Sequence, residues 1–315
     1  MTKILVTGST GFLGRHLMPI LKETYEGDAI IGVSSSDANL TCPNETSDLV
    51  GTIKPDTIIH LAAFSGGIGA NQERPADFFH INSLLLTNIF AAAAQCSVSR
   101  MIYTMGGCSY PADATSPIPE AALFKGIPQS ESAAYSMAKA MGVIAARAYK
   151  TQHGLDTTVL IPGNLYGEYD NFRTKESHVI PAMIRRFIEA RRSGNETIEM
   201  WGSGSPQRDF VYAGDVAAMI PYFLGKPEIT GPINLSSGSA ITIKCLAETI
   251  ARITDFKGKI SWNTSKPDGQ MIKIFDVQQM QKEGLSCPTS LEEGLKQTVA
   301  WFDANYDLAT DGLRL

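Results

Sequence analysis

The sequence predicts an α/β chain: a doubly wound parallel sheet with a smaller α+β region packed on it. Three observations carry this prediction. Short β-branched runs alternate with amphipathic stretches through the first 110 residues, those runs are apolar throughout, and beyond residue 165 the pattern loosens into turns and short strands. Strands followed by helices at this spacing build βαβ units around a parallel sheet. A continuously apolar strand is one covered by helices on both faces.

Taken in order, the first strand is Lys3–Thr7 and the first helix Phe12–Thr24, followed by strands over Ala29–Val33 and 57–62. A helix over 82–96, a strand over Arg100–Thr104, a helix over 131–151 and a strand over 157–161 continue the alternation. The next helix, 179–190, follows Ser177-His178 and carries Pro181 in its first turn, where a missing N–H costs little. Gly/Ser/Pro-rich turns at 202–206, 236–239 and 265–269 then separate short strands and two helices, Ile243–Ile253 and 290–306. No internal repeat or low-complexity segment interrupts this order.

Composition narrows the function classes. Of the 315 residues, 43% are hydrophobic and 19% charged, enough to bury a large core and too apolar for a disordered chain. The formal charge is −5 and no dense Lys/Arg tract occurs, which argues against nucleic acid as a partner. Arg185-Arg186 and Arg191-Arg192 read as the solvated side of a helix. No apolar run approaches the roughly 18 residues of a membrane span, and Lys3-Ile4-Leu5-Val6 opens a strand instead of a signal peptide. A cytoplasmic protein with no membrane partner is expected. Cys42, Cys96, Cys108, Cys245 and Cys287 are scattered, with no Cys-x-x-Cys and no histidine at metal-ligand spacing. Neither a disulfide framework nor a metal site is expected.

Gly8-Ser9-Thr10-Gly11-Phe12-Leu13-Gly14 lies between the first strand and the first helix. Its G-x-x-G-x-x-G spacing puts glycine where the chain turns tightly, where backbone approaches a pyrophosphate and where helix packs on strand. Any tight strand-to-helix connection uses glycine; position within the first 15 residues, after a clean strand, assigns this one to a dinucleotide and the sheet to the Rossmann-like class. The second strand ends in Val33-Ser34-Ser35-Ser36-Asp37. Small hydroxyls at Ser34 and Ser36, with Arg15 nearby in sequence, suit a 2′-phosphate, so NADP is the expected cofactor, with NAD not excluded. A simple polar turn is the other reading of the serines.

Tyr135 and Lys139 are four residues apart, hence on one helix face. An ammonium beside a phenol stabilises its phenolate and brings a group of ordinary pKa near 10 toward useful acid–base chemistry. Such a pair is common on helix surfaces; about 120 residues after a dinucleotide fingerprint, it is a catalytic candidate.

Further motifs follow: Gly66-Gly67-Ile68-Gly69-Ala70-Asn71 with Pro75-Ala76-Asp77-Phe78, Cys108-Ser109-Tyr110-Pro111, and Asn164-Leu165-Tyr166-Gly167 with Asp170-Asn171-Phe172. Ser177-His178-Val179-Ile180-Pro181, Trp201-Gly202-Ser203-Gly204 and Ser265-Lys266-Pro267-Asp268-Gly269 complete the set. Across nearly its whole length the chain resembles the extended short-chain dehydrogenases/reductases, and among them the epimerase-reductases of GDP-4-keto-6-deoxy sugars.

The resemblance implies roles. Tyr135 becomes the proton donor to the C4 oxygen, with Lys139 its partner, and Cys108 and His178 the pair that moves protons at C3 and C5. The chemistry agrees, because hydrogens beside a 4-keto group are acidic enough for a thiolate to remove and an imidazole on the other face to return. Left to themselves, Cys108 would read as a small buried apolar residue and His178 as a helix-start side chain bonded to backbone. Cofactor contacts implied are Gly8, Thr10, Gly11, Phe12, Leu13, Arg15, Ser34 and Ser36 around the phosphates and ribose. Leu61, Ala62 and Ala63 follow the third strand, and Pro162, Asn164, Leu165 and His178 stand with Tyr135 and Lys139 toward the nicotinamide. Substrate contacts implied are Cys108, Asn164, His178, Val179, Arg186, Trp201, Arg208 and Lys266, the Arg208 guanidinium being shaped for a diphosphate. Arg208 paired with Asp209 or Asp215, Asn164 as a turn residue and Lys266 as a solvated loop charge are the alternatives.

The resemblance also implies two domains, 1–165 with 212–236 for the dinucleotide and 166–211 with 237–315 for the nucleotide sugar. A homodimer through the Tyr135 helix and its neighbour 82–96 follows as well.

The chain departs from the family in two places. Where relatives carry a serine or threonine that bonds the keto oxygen, it has Gly106, removing a donor whose deletion typically costs roughly 2.7–4 kcal/mol. Thr104 is one strand repeat away, more than about 6 Å. After Ser36, the arginine that clasps NADP is absent, and Leu40-Thr41-Cys42 lacks the expected adenine-side aspartate. The leading expectation is an NADP-dependent epimerase-reductase that inverts C3 and/or C5 and reduces C4. Alternatives are a nucleotide-sugar 3,5-epimerase or C4 oxidoreductase performing part of that sequence, GDP-mannose 3,5-epimerases sharing the Cys-x-Tyr-Pro element, and a cofactor-sensing protein without catalysis.

Overall fold

The computed structural model describes residues 2–310 apart from Lys175 and Pro267. Pro267 of the 265–269 motif, and Met1 and 311–315 at the expected domain limits, lie outside the described residues. The chain runs β1 (Lys3–Thr7), α1 (Phe12–Thr24), β2 (Ala29–Val33), α2 (Pro43–Ile53), β3 (Thr57–His60), α3 (Ile68–Glu73), α4 (Pro75–Gln95) and β4 (Arg100–Thr104). Next come α5 (Ala133–His153), β5 (Asp156–Pro162), β6 (Asn164–Tyr166), α6 (Val179–Ser193), β7 (Thr197–Trp201), β8 (Gln207–Arg208) and β9 (Phe210–Tyr212). It then forms α7 (Ala213–Leu224), β10 (Pro232–Leu235), β11 (Ile241–Thr242), α8 (Ile243–Ile253), β12 (Lys259–Asn263), β13 (Ile272–Lys273), α9 (Gln278–Lys282), α10 (Leu291–Ala304) and α11 (Tyr306–Thr310).

Six strands form one sheet in the order β10-β5-β4-β3-β1-β2, every neighbouring pair parallel. Side chains alternate across it. Leu5, Ile58, Met101 and Tyr103 pack against α2, α4 and α5 through Val50, Phe90 and Val143, while Ile4, Val6, Ile59 and Ile102 pack against α1 and α7 through Leu17, Ile220 and Phe223. With both faces covered, the strands have no polar side to show, which is why they read as unbroken apolar runs. Thr7 is in register with Val33 on one side and His60 on the other, so β1, β2 and β3 end level. Chain connections diverge between β1 and β3, and ligands of such sheets bind beyond the carboxyl ends at that switch point.

A separate core gathers Phe172, Ile184, Phe187, Leu246, Leu295 and Phe302 between α6, α8 and α10. Its short sheets pair β7 with β12, β8 with β11 and β13, and β6 with β9. The basic stretch of α6 is largely neutralised: Arg185 pairs with Glu189, and Arg191 and Arg192 both reach Asp303.

Several boundaries differ from the expected ones, each for a local reason. α2 was not foreseen; its sequence is polar and buries only Thr46 and Val50, too little for a periodic signal. α4 begins at Pro75 instead of residue 82, because proline suits the first helical position and Phe78 already faces inward. α7 carries Pro221 in its interior, which hides a helix from sequence reading. The helix expected over 290–306 stops at Ala304, and β3 ends at His60, after which Leu61 adds one further rung to the Thr7 carbonyl. No helix among the described residues is long and apolar enough to cross a membrane.

Candidate active site

The glycine turn is built for close approach. Gly8 has φ +72°, and a Cβ there would stand 2.8 Å from the Ala62 nitrogen. A Cβ at Gly14 would stand 2.3 Å from the Gly8 carbonyl, so the turn folds directly onto α1. Its edge is tied to β2, the Gly8 and Ser9 amides donating to the Val33 carbonyl at 3.0 and 3.2 Å. α1 starts after Gly11 with no side-chain cap and no acid in its first turn, leaving its leading N–H groups to an anion. Thr10, Phe12 and Leu13 flank this end; Ala62 and Ala63 follow β3 beside Gly8. This cradle, which any Cβ would fill, fits a pyrophosphate. Pro162 closes β5 on the same edge of the sheet, and Leu165 packs partly into the core on the α1 side.

Beyond β2 the expected ribose residues converge on an oxyanion. The Ser34 amide and hydroxyl donate to one oxygen of Asp37 at 2.7 and 2.8 Å, and the Ser36 hydroxyl lies 2.7 Å from the Ser34 oxygen. Arg15, expected to assist there, points elsewhere: its Nε donates to the Thr10 carbonyl, and its guanidinium lies 5.5 Å from the Tyr169 ring centre.

α5 sets Tyr135 and Lys139 one turn apart. Lys139 is buried, its ammonium 4.6 Å from the centre of the Tyr103 ring, whose hydroxyl donates to the Lys139 carbonyl at 3.1 Å. Burial lowers its pKa to about 7, opposed by the Cys108 charge. Beneath it, burial and then the charge of Lys139 push His60 down to about 3, so this imidazole is neutral and bonds the Thr7 hydroxyl at 2.8 Å. Tyr135 is half-buried, and desolvation together with the Cys108 charge raises its pKa, keeping the phenol protonated and able to donate.

From β4 the chain passes through Gly106, extended at φ −123° and ψ 147°, into a tight turn holding Cys108. A Cβ at Gly106 would lie 3.2 Å from the Cys108 sulfur and 3.8 Å from the Tyr135 ring. Thiol and phenol therefore flank one small space. Gly107 differs: a Cβ there would sit 2.3 Å from the Phe275 ring, so packing demands glycine. Thr104 is occupied, its hydroxyl donating to the His60 carbonyl, and does not replace the missing serine.

His178 caps α6 through backbone alone; its ring makes no capping bond, which removes the helix-start role. Its side chain is exposed at the surface, and the protein packed around it lowers its pKa through desolvation, which favours the neutral ring. Its segment is held by the glycine loop: the Gly67 amide donates to the Glu176 carbonyl at 2.7 Å, and the Asn71 amide nitrogen braces the Gly66 and Gly67 carbonyls. The same loop touches Phe78, which lies edge-on to Tyr135 with 6.1 Å between ring centres. A Cβ at Gly67 would lie 2.3 Å from the Ser177 carbonyl. Gly67→Ala is therefore expected to displace His178 and lower turnover about 10²-fold with dinucleotide affinity unchanged. Gly66→Ala meets the Phe78 and Ala70 side chains at 3.2–3.3 Å and backbone only at 3.8 Å, and should cost far less. Paired kcat and Kd measurements check this; equal losses for both variants would refute it.

Next to the second core, β8 places Arg208 beside Lys273 of β13 in parallel register, which sets both side chains on one face. Lys273 was not anticipated. It is buried, and its pKa is lowered by desolvation, with Cys108 opposing and Arg208 reinforcing. Arg208 forms no ion pair with Asp209 or Asp215, whose carboxylates bond Ser237 and Gly238 in one case and Thr289 in the other. Trp201 is 68% exposed with the Lys266 ammonium 5.3 Å from its ring centre, and Asp268 ties their loops by accepting from the Ser203 amide and hydroxyl. Val179 is partly open, the Arg186 guanidinium donates to the Glu199 carbonyl, and Asn164 donates to the Asp209 carbonyl at 2.7 Å, bracing β6.

Among the described residues, the Tyr135 hydroxyl, the Cys108 thiol and the His178 ring make no hydrogen bond to protein. No group of three or more His, Cys, Asp or Glu among them is placed to hold a metal ion.

Comparisons with known proteins extend this picture. The sequence profile described as "NAD dependent epimerase/dehydratase family" matches residues 4–235. GDP-L-fucose synthase of Escherichia coli (strain K12) is 34% identical over 314 residues, spanning 97% of this chain and 98% of that protein. GDP-L-fucose synthase 1 of Arabidopsis thaliana is 35% identical over 303 residues, spanning 96% and 94%. The crystal structure of a GDP-L-fucose synthetase from Naegleria fowleri bound to NADP matches with a TM-score of 0.88 and 28% identity, covering 97% of this chain and 95% of that one.

Proposed function

This chain belongs to the NAD dependent epimerase/dehydratase family, and we propose that within it the protein is an NADP-dependent epimerase-reductase of a GDP-4-keto-6-deoxy sugar, inverting C3 and/or C5 and reducing C4. The observation that carries this reading is the placing of Cys108 and Tyr135 around one space at Gly106, with Lys139 buried behind. Relatives that span the whole chain and bear the name GDP-L-fucose synthase support it.

In this reading the glycine turn and α1 hold the pyrophosphate, Ser34 and Ser36 the ribose, and the buried Lys139 the second ribose. NADPH supplies a hydride for C4 when bound. Cys108, as thiolate, removes a proton beside the ketone, and the charge that moves onto the ketone oxygen is met by the Tyr135 O–H. His178, in the protonated form it takes up from solvent, returns a proton on the opposite face and becomes neutral, while the Cys108 thiol gives its proton back to solvent. Arg208 and Lys273 bind the diphosphate as paired cations, and Trp201 with Lys266 the base. The domain expected over 166–211 with 237–315, to which the second core belongs, is read as the sugar-binding domain. Phe79 of α4 with Met137 and Ile144 of α5, all exposed, support a homodimer through these helices, and five free cysteines suit a cytosolic enzyme.

A second reading, a 3,5-epimerase or C4 oxidoreductase that performs part of this sequence, is favoured by Gly106. A non-catalytic sensor is not, because Tyr135, Lys139, Cys108 and His178 are all present together. Incubation with GDP-4-keto-6-deoxymannose decides. Stoichiometric NADPH loss together with solvent deuterium at C3 or C5 is expected; deuterium without NADPH loss gives the second reading, and neither would refute both.

A further inference from the structure

We propose that His60 is a positioning residue for Lys139: side by side with Tyr103 it makes a dry aromatic floor under the ammonium, and it fastens that floor to the dinucleotide cradle. The proposal rests on the dinucleotide reading above, in which Lys139 holds a ribose. His60 ends β3 in register with Thr7 of β1 on one side and Tyr103 of β4 on the other, so the three side chains stand on one face of the sheet. Its ring is nearly parallel to that of Tyr103, at 12° with 5.9 Å between centres, and its Nδ1 shares a hydrogen bond of 2.8 Å with the Thr7 hydroxyl. That hydroxyl also accepts from the Ala62 amide at 3.4 Å, and Thr7 leads into Gly8, which closes on Ala62. A continuous chain of contacts therefore runs from the glycine turn to the catalytic lysine.

Lys139 is 3% exposed, with its ammonium 4.6 Å from the Tyr103 ring centre. The titratable groups that face it are Tyr135 one turn back on α5, Tyr103 from β4, His60 from β3 and Cys108 from the turn after β4. Burial, opposed by the Cys108 charge, brings the Lys139 pKa to about 7. His60, held at about 3 by burial and then by Lys139, is uncharged wherever Lys139 titrates. The imidazole thus acts on the ammonium by what it excludes. It fills space that water would take, and water there would hydrate the ammonium and return its pKa toward the ordinary value.

The test follows NADPH binding to the whole protein by calorimetry, without sugar, across neutral and mildly alkaline pH. Wild-type affinity is expected to fall about tenfold as the pH rises through about 7, when the ribose loses a charge-assisted bond, and Lys139→Met to abolish that dependence. His60→Asn keeps a partner for Thr7 but is smaller and admits water; it is expected to move the midpoint up by about one pH unit or more. His60→Gln, whose carbonyl offers the ammonium an acceptor, carries the same expectation if His60→Asn does not fold. His60→Phe keeps a ring beside Tyr103 and loses the Thr7 bond; its midpoint should stay within about a third of a unit of wild type while the melting temperature falls. A merely structural His60 would lower the melting temperature in every variant and leave the midpoint in place. That result overturns the proposal, as does a midpoint that rises as far in His60→Phe as in His60→Asn, or wild-type binding with no dependence that Lys139→Met removes. Failure of wild type to bind NADPH at any pH would overturn the dinucleotide reading as well, which separates the two failures.

Discussion

Replacing Cys108 with serine is expected to slow deuterium incorporation beside the sugar ketone by about 10²–10⁴-fold, the range that a positioned acid–base group contributes. Serine has the size of cysteine but a hydroxyl too weakly acidic to exist as an anion near pH 7, so the pocket keeps its shape and loses its base. The Tyr135 ring and Lys139 stay in place, and dinucleotide affinity should not change. Tyr135→Phe differs: ketone reduction falls by a similar factor, and exchange slows as well because the O–H that meets the enolate charge is gone. Proton NMR in deuterium oxide reads exchange, and loss of NADPH absorbance reads reduction. Exchange within threefold of wild type in Cys108→Ser would remove the thiol from the mechanism.

Gly106→Ser is expected to raise the rate of ketone reduction by about 10²-fold, at the lower end of what one oxyanion donor provides. Nothing in the backbone requires glycine here: φ −123° and ψ 147° suit any residue. The new Cβ would lie 3.2 Å from the Cys108 sulfur, a contact relieved by a few tenths of an ångström of side-chain movement, and 3.8 Å from the Tyr135 ring. A hydroxyl there faces the space between thiol and phenol. A rate that is unchanged or lower would show that the open space serves the substrate instead. Gly107→Ser is the contrasting control, because its Cβ would overlap the Phe275 ring and the protein should lose stability.

What could be read in the sequence was whatever is local. The glycine turn, the apolar strands and the Tyr135–Lys139 spacing are carried by neighbouring residues, and the structure shows them where the periodicities place them. α2 escaped because two buried side chains make no stripe, and α7 because Pro221 breaks its pattern. Lys273 had no local signal at all; only the pairing of a two-residue strand with Arg208, 65 positions away, brings it toward Cys108. Ser34, Ser36 and Asp37 were visible as residue types, but that the carboxylate folds back onto the serines is a property of the turn in space. The hold of Gly67 on the His178 segment likewise spans more than a hundred residues.

Phe275 fills the room above Gly107 and its amide is fastened to Asp209, while Asp268 is fastened to the Ser203 loop. The stretch between, with Met271 and Ile272 half exposed, is thus anchored at both ends. Within it Ile272 is paired into β13 and Gln270 reaches the Ala112 carbonyl, whereas Met271 is engaged through its carbonyl alone. The Met271 side chain is therefore the position on this stretch that can change most freely without disturbing what Phe275 and Asp209 hold in place.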